Sequence, residues 1–404
     1  MWISVTRGTG STVTRQTKRI SQLVLATVVL VLLTSCKNNR YPPDEWSGSV
    51  CGLNGSPRFE HANAPAASKL LRETLRKDNG TGIAAAVIVN GELIWSDAAG
   101  RSGNHSSPDL TPFASMRLGS VSKPMTAALI ARLADLSLLD LDSPIQQYVA
   151  DFPEKNGTVT LRHLLTHTSG IRHYNFSSFS ESNSRVQYQN LSESLFLFSE
   201  DPLLFPPGEQ YAYSSFGYNL TGAAIENALG ISFGEALQEY LVQPMMLERT
   251  HVDNPAAFVP CRPAFYTVTF ARVPISTIWR NHSDAYPSAG ILASAEDLGR
   301  FAYTYFRGDY LAAETRDYFM TPVTLNDGQV LRQSPGWELG FDENGDIDWY
   351  GHGGTTNGAY ASLRYYPDSN MIIAGISNYN FWLTGKSPEF FQLIREELPS
   401  LFAL

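Results

Sequence analysis

The chain has 404 residues, of which 43% are hydrophobic, 12% aromatic and 17% charged. This composition excludes a disordered, collagen-like or coiled-coil protein, and the length suffices for one large domain or two interleaved ones. The first 35 residues hold four basic residues and no acidic one, so residues 36–404 retain 26 basic and 39 acidic residues, a net charge of −13. A body this acidic excludes nucleic acid as the expected partner, because a phosphate backbone requires a positive surface.

The first 35 residues are typical of a targeting segment. Basic residues precede an apolar run at 23–33, which is shorter than the roughly 20 residues of a membrane-spanning helix. The run leads into Leu33-Thr34-Ser35-Cys36, which resembles the bacterial lipobox. That resemblance implies a signal peptide at 1–35, lipidation of Cys36 and, because lysine follows the cysteine, an outer-membrane anchor facing the periplasm. An uncleaved helix and a mitochondrial transit peptide are the alternatives that the segment leaves open.

Residues 36–65 are predicted to form a tether between this anchor and the body, because they are rich in Pro, Gly, Asn and Ser. Beyond Cys36 the chain has two cysteines, Cys51 and Cys261. They could pair in an oxidising periplasm, but two cysteines so far apart in the sequence do not establish a disulfide. The sequence leaves this pairing open.

Strand patterns lie at both ends of the body. Short apolar runs bounded by turn residues predict strands at 82–89, 92–95, 359–365 and 371–376. The pair Asn90-Gly91 predicts a hairpin between the first two, because a type I′ turn needs positive φ at both central positions. Near the C-terminus, Ser387 as N-cap and Pro388 at the first helical position predict the start of a final helix.

The middle of the chain is predicted to be mostly helical. Apolar residues recur at helical spacing in two sets, Met125, Leu129, Leu133 and Leu136, and Phe216, Leu220 and Ala224. Strands from both ends that share one sheet, with helices inserted between them, predict a two-part α/β architecture. We assign residues 66–140 and 285–404 to the α/β part and residues 141–284 to the insertion, and we expect the functional site in the cleft between them.

A Ser-x-x-Lys pattern is the first candidate for chemistry. Of the seven lysines only Lys123 has a serine three positions before it, Ser120. A helical pattern begins just after this serine, so the hydroxyl and the amine would share one face near a helix N-terminus. Serine needs a base, and a lysine amine with its ordinary pKa of about 10.4 becomes one only where burial or nearby cations lower that pKa. Taken alone, the pattern favours an N-capping serine and a solvated lysine.

Several segments resemble the serine β-lactamase and penicillin-binding protein superfamily, in its class C-like branch. They lie in the family's order at 119–123 (GSVSK), 164–171, 207–218 (PGEQYAYSSFGY), 289–294 and 351–355 (GHGGT). The residues around Ser120, at 170–174 and at 201–218 are most similar to the mitochondrial β-lactamase-like serine protease subgroup. The resemblance implies a β-lactamase/transpeptidase-like fold, with an antiparallel sheet flanked by helices and a mostly helical inserted domain.

The resemblance also implies three catalytic roles. Ser120 would attack a carbonyl carbon and form an acyl-enzyme. Lys123 would take the serine's proton, or hold the network that does. Tyr213 occupies the tyrosine position of the second motif, and its phenol, with a pKa shifted by nearby cations, would relay a proton to the leaving group.

The residues that would bind substrate depart from the family pattern twice. Ser215 stands where many relatives have asparagine, and its shorter side chain with a single donor puts recognition of β-lactam amides in doubt. His352 stands where many members have lysine, and it would bind a carboxylate best when protonated. Gly353 and Gly354 would let the chain pass close to the acyl group, and the backbone N–H groups of Thr355 and of the nucleophile would form the oxyanion hole.

These matches imply a membrane-tethered serine hydrolase that acts on peptide or ester carbonyls, without cofactor or metal. A cell-wall peptide is a substrate by analogy with relatives. Because of Ser215 and His352, we rank a peptidase or esterase above a true β-lactamase. The alternative from another class is a binding module that retains the fold without turnover, and the joint presence of Ser120, Lys123 and Tyr213 weighs against it.

Two further patterns are predicted to be structural. Residues 230–234 match a nucleophile elbow, but the residues before them are helical where the elbow requires a strand. We therefore expect Gly230 to end one helix and Ser232, with Glu235 three residues later, to cap the next. His163 and His167 have the spacing of a zinc-protease pair, but the glutamate that this motif needs as a base is absent between them.

Overall fold

The structure is a computed structural model. It describes Cys51, residues 58–59 and residues 61–403, except 105, 176 and 382–387. The described residues all belong to one compact unit, and no helix among them is long and apolar enough to cross a membrane. The predicted signal peptide at 1–35, the lipidation site Cys36 and the predicted N-cap Ser387 lie outside the described residues.

The β-strands of the described residues are numbered β1 to β14 in chain order. They are Arg58–Phe59, Gly82–Val89, Glu92–Gly100, Met116–Arg117, His251–Val252, Tyr266–Val268, Pro274–Ser276, Ile291–Ala293, Gln333–Ser334, Trp337–Phe341, Ile347–Thr356, Ala359–Tyr366, Met371–Ser377 and Tyr379–Asn380. Eight of them form the main sheet in the order β1-β3-β2-β13-β12-β11-β10-β9, with every neighbouring pair antiparallel. The others form two small sheets, β14-β6-β7 and β4-β8-β5.

The α-helices of the described residues are numbered α1 to α11. They are Ala64–Asp78, Ser122–Asp135, Leu161–Leu165, Phe179–Ser182, Ser215–Leu229, Phe233–Leu237, Tyr286–Ala289, Ala295–Arg307, Ala313–Met320, Glu389–Gln392 and Leu398–Phe402. π-helical turns follow α6 at Gln238–Val242 and join α10 to α11 at Leu393–Glu397. Shorter 3₁₀ turns lie at Gly119–Val121, Ile145–Gln147 and Ser192–Leu197.

The main sheet joins the two ends of the chain, as the strand patterns predict. Asn90 and Gly91 adopt φ of 53° and 85°, so the expected turn connects β2 to β3. Strand β2 pairs on its other side with β13, which comes from the C-terminal part. Alternate residues of β2 enter two different hydrophobic cores, Ala84 and Ala86 on one face and Ala85 and Val87 on the other. The strand is therefore covered on both faces, and the expected antiparallel sheet flanked by helices is confirmed.

Most predicted helix faces are buried, with one error. Met125, Leu129 and Leu133 are fully buried on α2, and so are Phe216, Leu220 and Ala224 on α5. The prediction for Leu136 is wrong, because α2 ends at Asp135 and Leu136 is 42% exposed. The next residue, Ser137, has φ of 56°, a left-handed conformation that stops the helix from continuing.

The N-terminal segment of the described residues is attached to the rest of the protein at two points. Cys51 forms a disulfide with Cys261, with 5.5 Å between the Cα atoms, which answers the question that the sequence left open. Strand β1 pairs with β3, and α1 begins at Ala64, so both elements start within the segment predicted as a tether. At the other end, Pro388 is the N-cap of α10 instead of its first residue.

Candidate active site

Ser120 lies in a tight turn between β4 and α2 that is held against β11. Gly119 has φ of +53°, and a Cβ on it would lie 2.9 Å from the backbone nitrogen of Thr355. A Cβ on Gly354 would lie 2.0 Å from the carbonyl oxygen of Leu118. Because neither position has room for a side chain, the sequence needs glycine at both. This contact brings the Thr355 backbone beside the nucleophile turn, as the predicted oxyanion hole requires.

Gly353 differs from the prediction made for the glycine pair. Successive residues of a strand face opposite sides of the sheet, so Gly353 faces away from the Ser120 turn. A Cβ there would lie 2.4 Å from Nη2 of Arg395, which follows α10. Only Gly354 of the pair therefore permits the close approach to the nucleophile turn, whereas Gly353 makes room for a guanidinium group.

Lys123 is fully buried one helical turn after Ser120. Its Nζ lies 3.3 Å from Ser120 Oγ, 3.0 Å from Ser215 Oγ and 3.0 Å from the carbonyl oxygen of Ser288. Burial lowers the pKa of Lys123 well below its usual range, although the carboxylate of Glu338 acts to raise it. The amine therefore loses its proton much more readily than a lysine in water.

The three oxygen neighbours of Lys123 can accept all three hydrogens of an ammonium, and they also suit the neutral amine that burial favours. The neutral amine has two hydrogens to donate and one lone pair. The carbonyl oxygen of Ser288 can only accept, so it takes one hydrogen, and the hydroxyl of Ser215 takes the other. The lone pair then remains for the hydroxyl of Ser120, in the direction that deprotonation of that serine requires.

Tyr213 lies beside both Ser120 and Lys123. Its phenol hydrogen-bonds the side chain of Ser120, and burial raises the pKa of the phenol despite that bond. Its ring lies 4.8 Å from the Nζ of Lys123. We expected nearby cations to shift this pKa, but the nearest amine gives up its charge readily and burial dominates. The phenol therefore stays protonated and able to donate.

Two histidines fix the second motif, and sequence reasoning did not assign them to the site. The Nδ1 of His167 accepts the backbone N–H of Ser214 at 3.1 Å, and that of His173 accepts the N–H of Ser215 at 3.1 Å. Burial lowers the pKa of His167 well below its usual value and that of His173 to about 4. Both imidazoles are therefore neutral acceptors that orient the start of α5.

The two histidines that have zinc-protease spacing in the sequence lie in different surroundings. His163 lies within α3, and its Nδ1 is 3.1 Å from the hydroxyl of Thr160. His167 follows the helix with φ of 59°, so the two imidazoles do not share a helix face. Among the described residues, no group of three or more His, Cys, Asp or Glu side chains could hold a metal ion.

His352 is buried on β11, where its surroundings favour the neutral imidazole. Its Nδ1 lies 2.7 Å from the carbonyl oxygen of Gly353. A carbonyl only accepts, so Nδ1 carries the hydrogen and Nε2 is left as an acceptor. Burial lowers the pKa of His352, with Glu338 opposing. A neutral imidazole of this tautomer accepts a hydrogen bond and provides no positive charge for a carboxylate.

The competing serine is a structural cap, as predicted. Ser232 is the N-cap of α6, and with Glu235 it forms a complete capping box. Gly230 ends α5 with φ of 68°. The elbow-like pattern at 230–234 therefore marks a helix–turn–helix junction, and Ser232 provides a matched serine outside the site.

The antiparallel sheet, with a Ser-x-x-Lys helix against one face and a tyrosine beside the serine, is that of the β-lactamase/transpeptidase-like proteins. The β-lactamase family model matches residues 67–390. The chain belongs to this family.

Proteins similar to this chain include a mitochondrial β-lactamase-like protein and a bacterial esterase. The human mitochondrial serine β-lactamase-like protein LACTB is 27% identical over 366 residues, which cover 70% of this chain and 65% of that protein. The chain thus spans slightly less than two thirds of that relative. Esterase EstB of Burkholderia gladioli is 27% identical over 310 residues, 73% of this chain and 68% of the esterase.

The solved structures show the same fold. The octameric penicillin-binding protein homologue from Pyrococcus abyssi superposes with a TM-score of 0.70 and 20% identity, over 83% of this chain and 77% of that one. At this identity the likeness concerns the fold alone. It agrees with the resemblance from which the sequence analysis inferred the sheet and its helices.

Proposed function

We propose that the chain is a serine hydrolase that forms an acyl-enzyme at Ser120 on peptide or ester carbonyls. The observation that carries this proposal is the buried amine of Lys123, whose Nζ lies 3.3 Å from Ser120 Oγ and also contacts one carbonyl oxygen and a second hydroxyl. A solvated lysine beside a helix cap would have neither the burial nor the lowered pKa.

The proton path follows from these contacts. As Ser120 Oγ bonds to the carbonyl carbon, its proton passes to the lone pair of Lys123. The backbone N–H groups of Ser120 and Thr355 receive the developing oxyanion. Tyr213, kept protonated by burial, gives its proton to the leaving nitrogen or oxygen as that bond breaks, and the proton held by Lys123 restores the phenol. A water then releases the acyl group from the serine.

The substrate-binding side favours a peptidase or esterase over a β-lactamase. The hydroxyl of Ser215 is buried and engaged with Lys123, so it is not extended toward a substrate amide as an asparagine would be. His352 is neutral and provides an acceptor where many relatives have a cationic lysine. Both features reduce the attraction for the amide and carboxylate of a β-lactam.

The proposal includes a lipid anchor at Cys36 and a position at the outer membrane facing the periplasm. Its support is the lipobox-like sequence that ends at Cys36. Such a position would place cell-wall peptides within reach of the site. Expression of the full chain in a Gram-negative host with labelled palmitate should label the wild type and leave Cys36→Ala unlabelled. Equal labelling of both would remove the anchor from the proposal.

The catalytic part is tested by covalent labelling. Purified protein is treated with a fluorophosphonate or a labelled penicillin, and the adduct is mapped by mass spectrometry. We expect the adduct on Ser120, loss of labelling in Ser120→Ala and full labelling in Ser232→Ala. An adduct elsewhere, or labelling that survives Ser120→Ala, would refute the assigned nucleophile.

A turnover panel decides between the related functions. Esters, peptides and a chromogenic cephalosporin are compared at equal concentration. We expect faster turnover of esters or peptides than of the cephalosporin. Preferred cephalosporin turnover would identify a true β-lactamase, and rapid labelling without any turnover would identify a binding module.

A further inference from the structure

A chain of hydrogen bonds begins at Ser288, a neighbour of the buried Lys123, and includes residues that have no role in the proposed function. The side-chain amide of Asn219 donates to the hydroxyl of Tyr174 at 3.0 Å. That hydroxyl lies 3.1 Å from Ser288 Oγ, which in turn donates to the carbonyl oxygen of Ala285 at 3.4 Å. In this arrangement the Asn219 NH₂ group donates and the Ala285 carbonyl accepts, so the hydroxyl of Tyr174 is left to donate to Ser288.

This chain connects the two groups that receive hydrogens from Lys123. Ser288 provides its backbone carbonyl to Nζ, and its side chain is held by Tyr174. Asn219 lies on α5 one turn after Ser215, which provides the hydroxyl to the same Nζ. The contacts thus close a ring that passes through the lysine amine, α7, Tyr174 and α5.

Two neighbouring aromatic rings fix the position of the Tyr174 side chain. Its ring packs edge-on against Phe216 of α5, with 4.5 Å between centroids, and stacks on His173 at 5.1 Å. Burial raises the pKa of its phenol, and nearby Arg280 only partly opposes this. The hydroxyl therefore keeps its hydrogen at any working pH, and its bond to Ser288 does not titrate.

We propose that Tyr174 is a positioning residue for the hydrolase reaction. It fixes the Ser288 carbonyl relative to α5, so that both hydrogens of the Lys123 amine are engaged and the lone pair faces Ser120. This inference rests on the proposed function, because it concerns the orientation of the base. Removing the hydroxyl would leave the amine buried but free to rotate, which slows transfer of the serine proton without altering how substrate binds.

The test is a double-mutant cycle on the rate of acylation. Tyr174→Phe removes only the hydroxyl, and Ser288→Ala removes only its partner, while the backbone carbonyl remains. Each should slow acylation of Ser120 about tenfold, with KM unchanged, which is the size expected for one buried hydrogen bond. Because both variants break the same link, the double variant should be about as slow as either single one, not about a hundredfold slower.

Two further variants separate positioning from general stability. Tyr310→Phe removes a buried hydroxyl that donates to the carbonyl oxygen of Tyr240 at 2.7 Å and lies 3.4 Å from that of Ala128, five residues after Lys123 on α2. It should leave acylation unchanged. Asn219→Asp replaces a donor by an acceptor, which draws the Tyr174 hydrogen away from Ser288 and should slow acylation as Tyr174→Phe does.

The inference is overturned by a wild-type acylation rate in Tyr174→Phe, by losses that multiply in the double variant, or by an equal loss in Tyr310→Phe. Ser120→Ala in the same assay keeps the two proposals apart. Acylation that survives Ser120→Ala removes the proposed function itself, whereas acylation that is lost there but unaffected by Tyr174→Phe removes the positioning role alone.

Discussion

Two buried polar clusters include residues that flank Ser120 in the chain, Arg117 before it and Lys123 after it, and the two clusters differ in how burial affects their charge. Lys123 is surrounded by hydroxyl and carbonyl oxygens, and burial lowers its pKa. Asp253 is equally buried, but Arg117 Nε lies 2.7 Å from it and Arg262 Nη1 lies 3.3 Å from it. Burial would raise the pKa of Asp253, yet Arg117, His282 and Arg262 together hold it well below its usual range.

The difference lies in the partners, not in the depth of burial. A buried group gives up its charge unless opposite charges compensate the lost hydration. The Asp253 cluster provides them and is structural: Arg117 also donates to the carbonyl oxygen of Asn357, which ties β4 to the turn after β11. Among the described residues no carboxylate contacts Lys123, so its amine loses its proton readily. Under the proposed function, the Asp253 cluster stabilises the fold next to the site and the Lys123 cluster provides the base.

Removing the lysine side-chain amine should have the largest effect. We expect Lys123→Met to reduce acylation of Ser120 by about 10²- to 10⁴-fold, the usual contribution of a positioned base, measured by stopped-flow with a fluorophosphonate. The folded-state pKa of Lys123 lies below its unfolded value, so at pH below the unfolded pKa the buried amine costs stability. The same variant should therefore unfold at a higher denaturant concentration. An inactive but less stable variant would contradict this.

Removing the charge from the other cluster should have the opposite effect on stability. We expect Asp253→Asn to lower the free energy of unfolding by about 3–5 kcal/mol, because it leaves Arg117 and Arg262 buried without their counter-ion. Chemical denaturation provides the measurement. Folded Asp253→Asn protein should still be labelled at Ser120. A stability equal to the wild type would show that the cluster does not hold the fold.

Substitution of Glu338 tests how a nearby carboxylate affects the pKa of Lys123. Glu338 lies on β10 opposite Gly351, and its carboxylate raises the pKa of Lys123. Acylation should increase with pH as Lys123 loses its proton, and Glu338→Gln should move this rise to lower pH. Glu343→Gln, an exposed acid in the turn after β10, is the matched control and should not move it. A shift to higher pH in Glu338→Gln would contradict the assignment.

Local patterns in the sequence were sufficient for the parts of the molecule that depend on neighbouring residues. The Asn90-Gly91 turn and the capping box at Ser232 form as predicted because the residues that determine them are adjacent in the chain. The resemblance to the family predicted the antiparallel sheet, and it pointed to Ser120, Lys123 and Tyr213, which lie next to one another in the structure. The prediction that Leu136 is buried is wrong because the apolar helical spacing in the sequence continues one residue past Asp135, where α2 ends.

The rest of the site depends on contacts that carry no sequence signal. The carbonyl of Ser288 is 165 residues from Lys123, and every residue has a carbonyl, so its role could not be predicted. The neutral state of His352 follows from burial, and one backbone oxygen sets which ring nitrogen carries the hydrogen. Residues 170–174 were matched to the family, but nothing in them shows that His173 accepts a backbone N–H of the second motif.

The most direct test of the account is the pKa of Lys123 in the folded protein. Lysine side chains labelled with ¹⁵N can be titrated by NMR, and the spectrum of Lys123→Met assigns the signal among the seven lysines. The account predicts that one amine titrates well below the usual value of about 10.4 and that this signal is absent in the variant. A Lys123 that keeps its proton up to the ordinary lysine range would contradict the central claim that burial makes it the base.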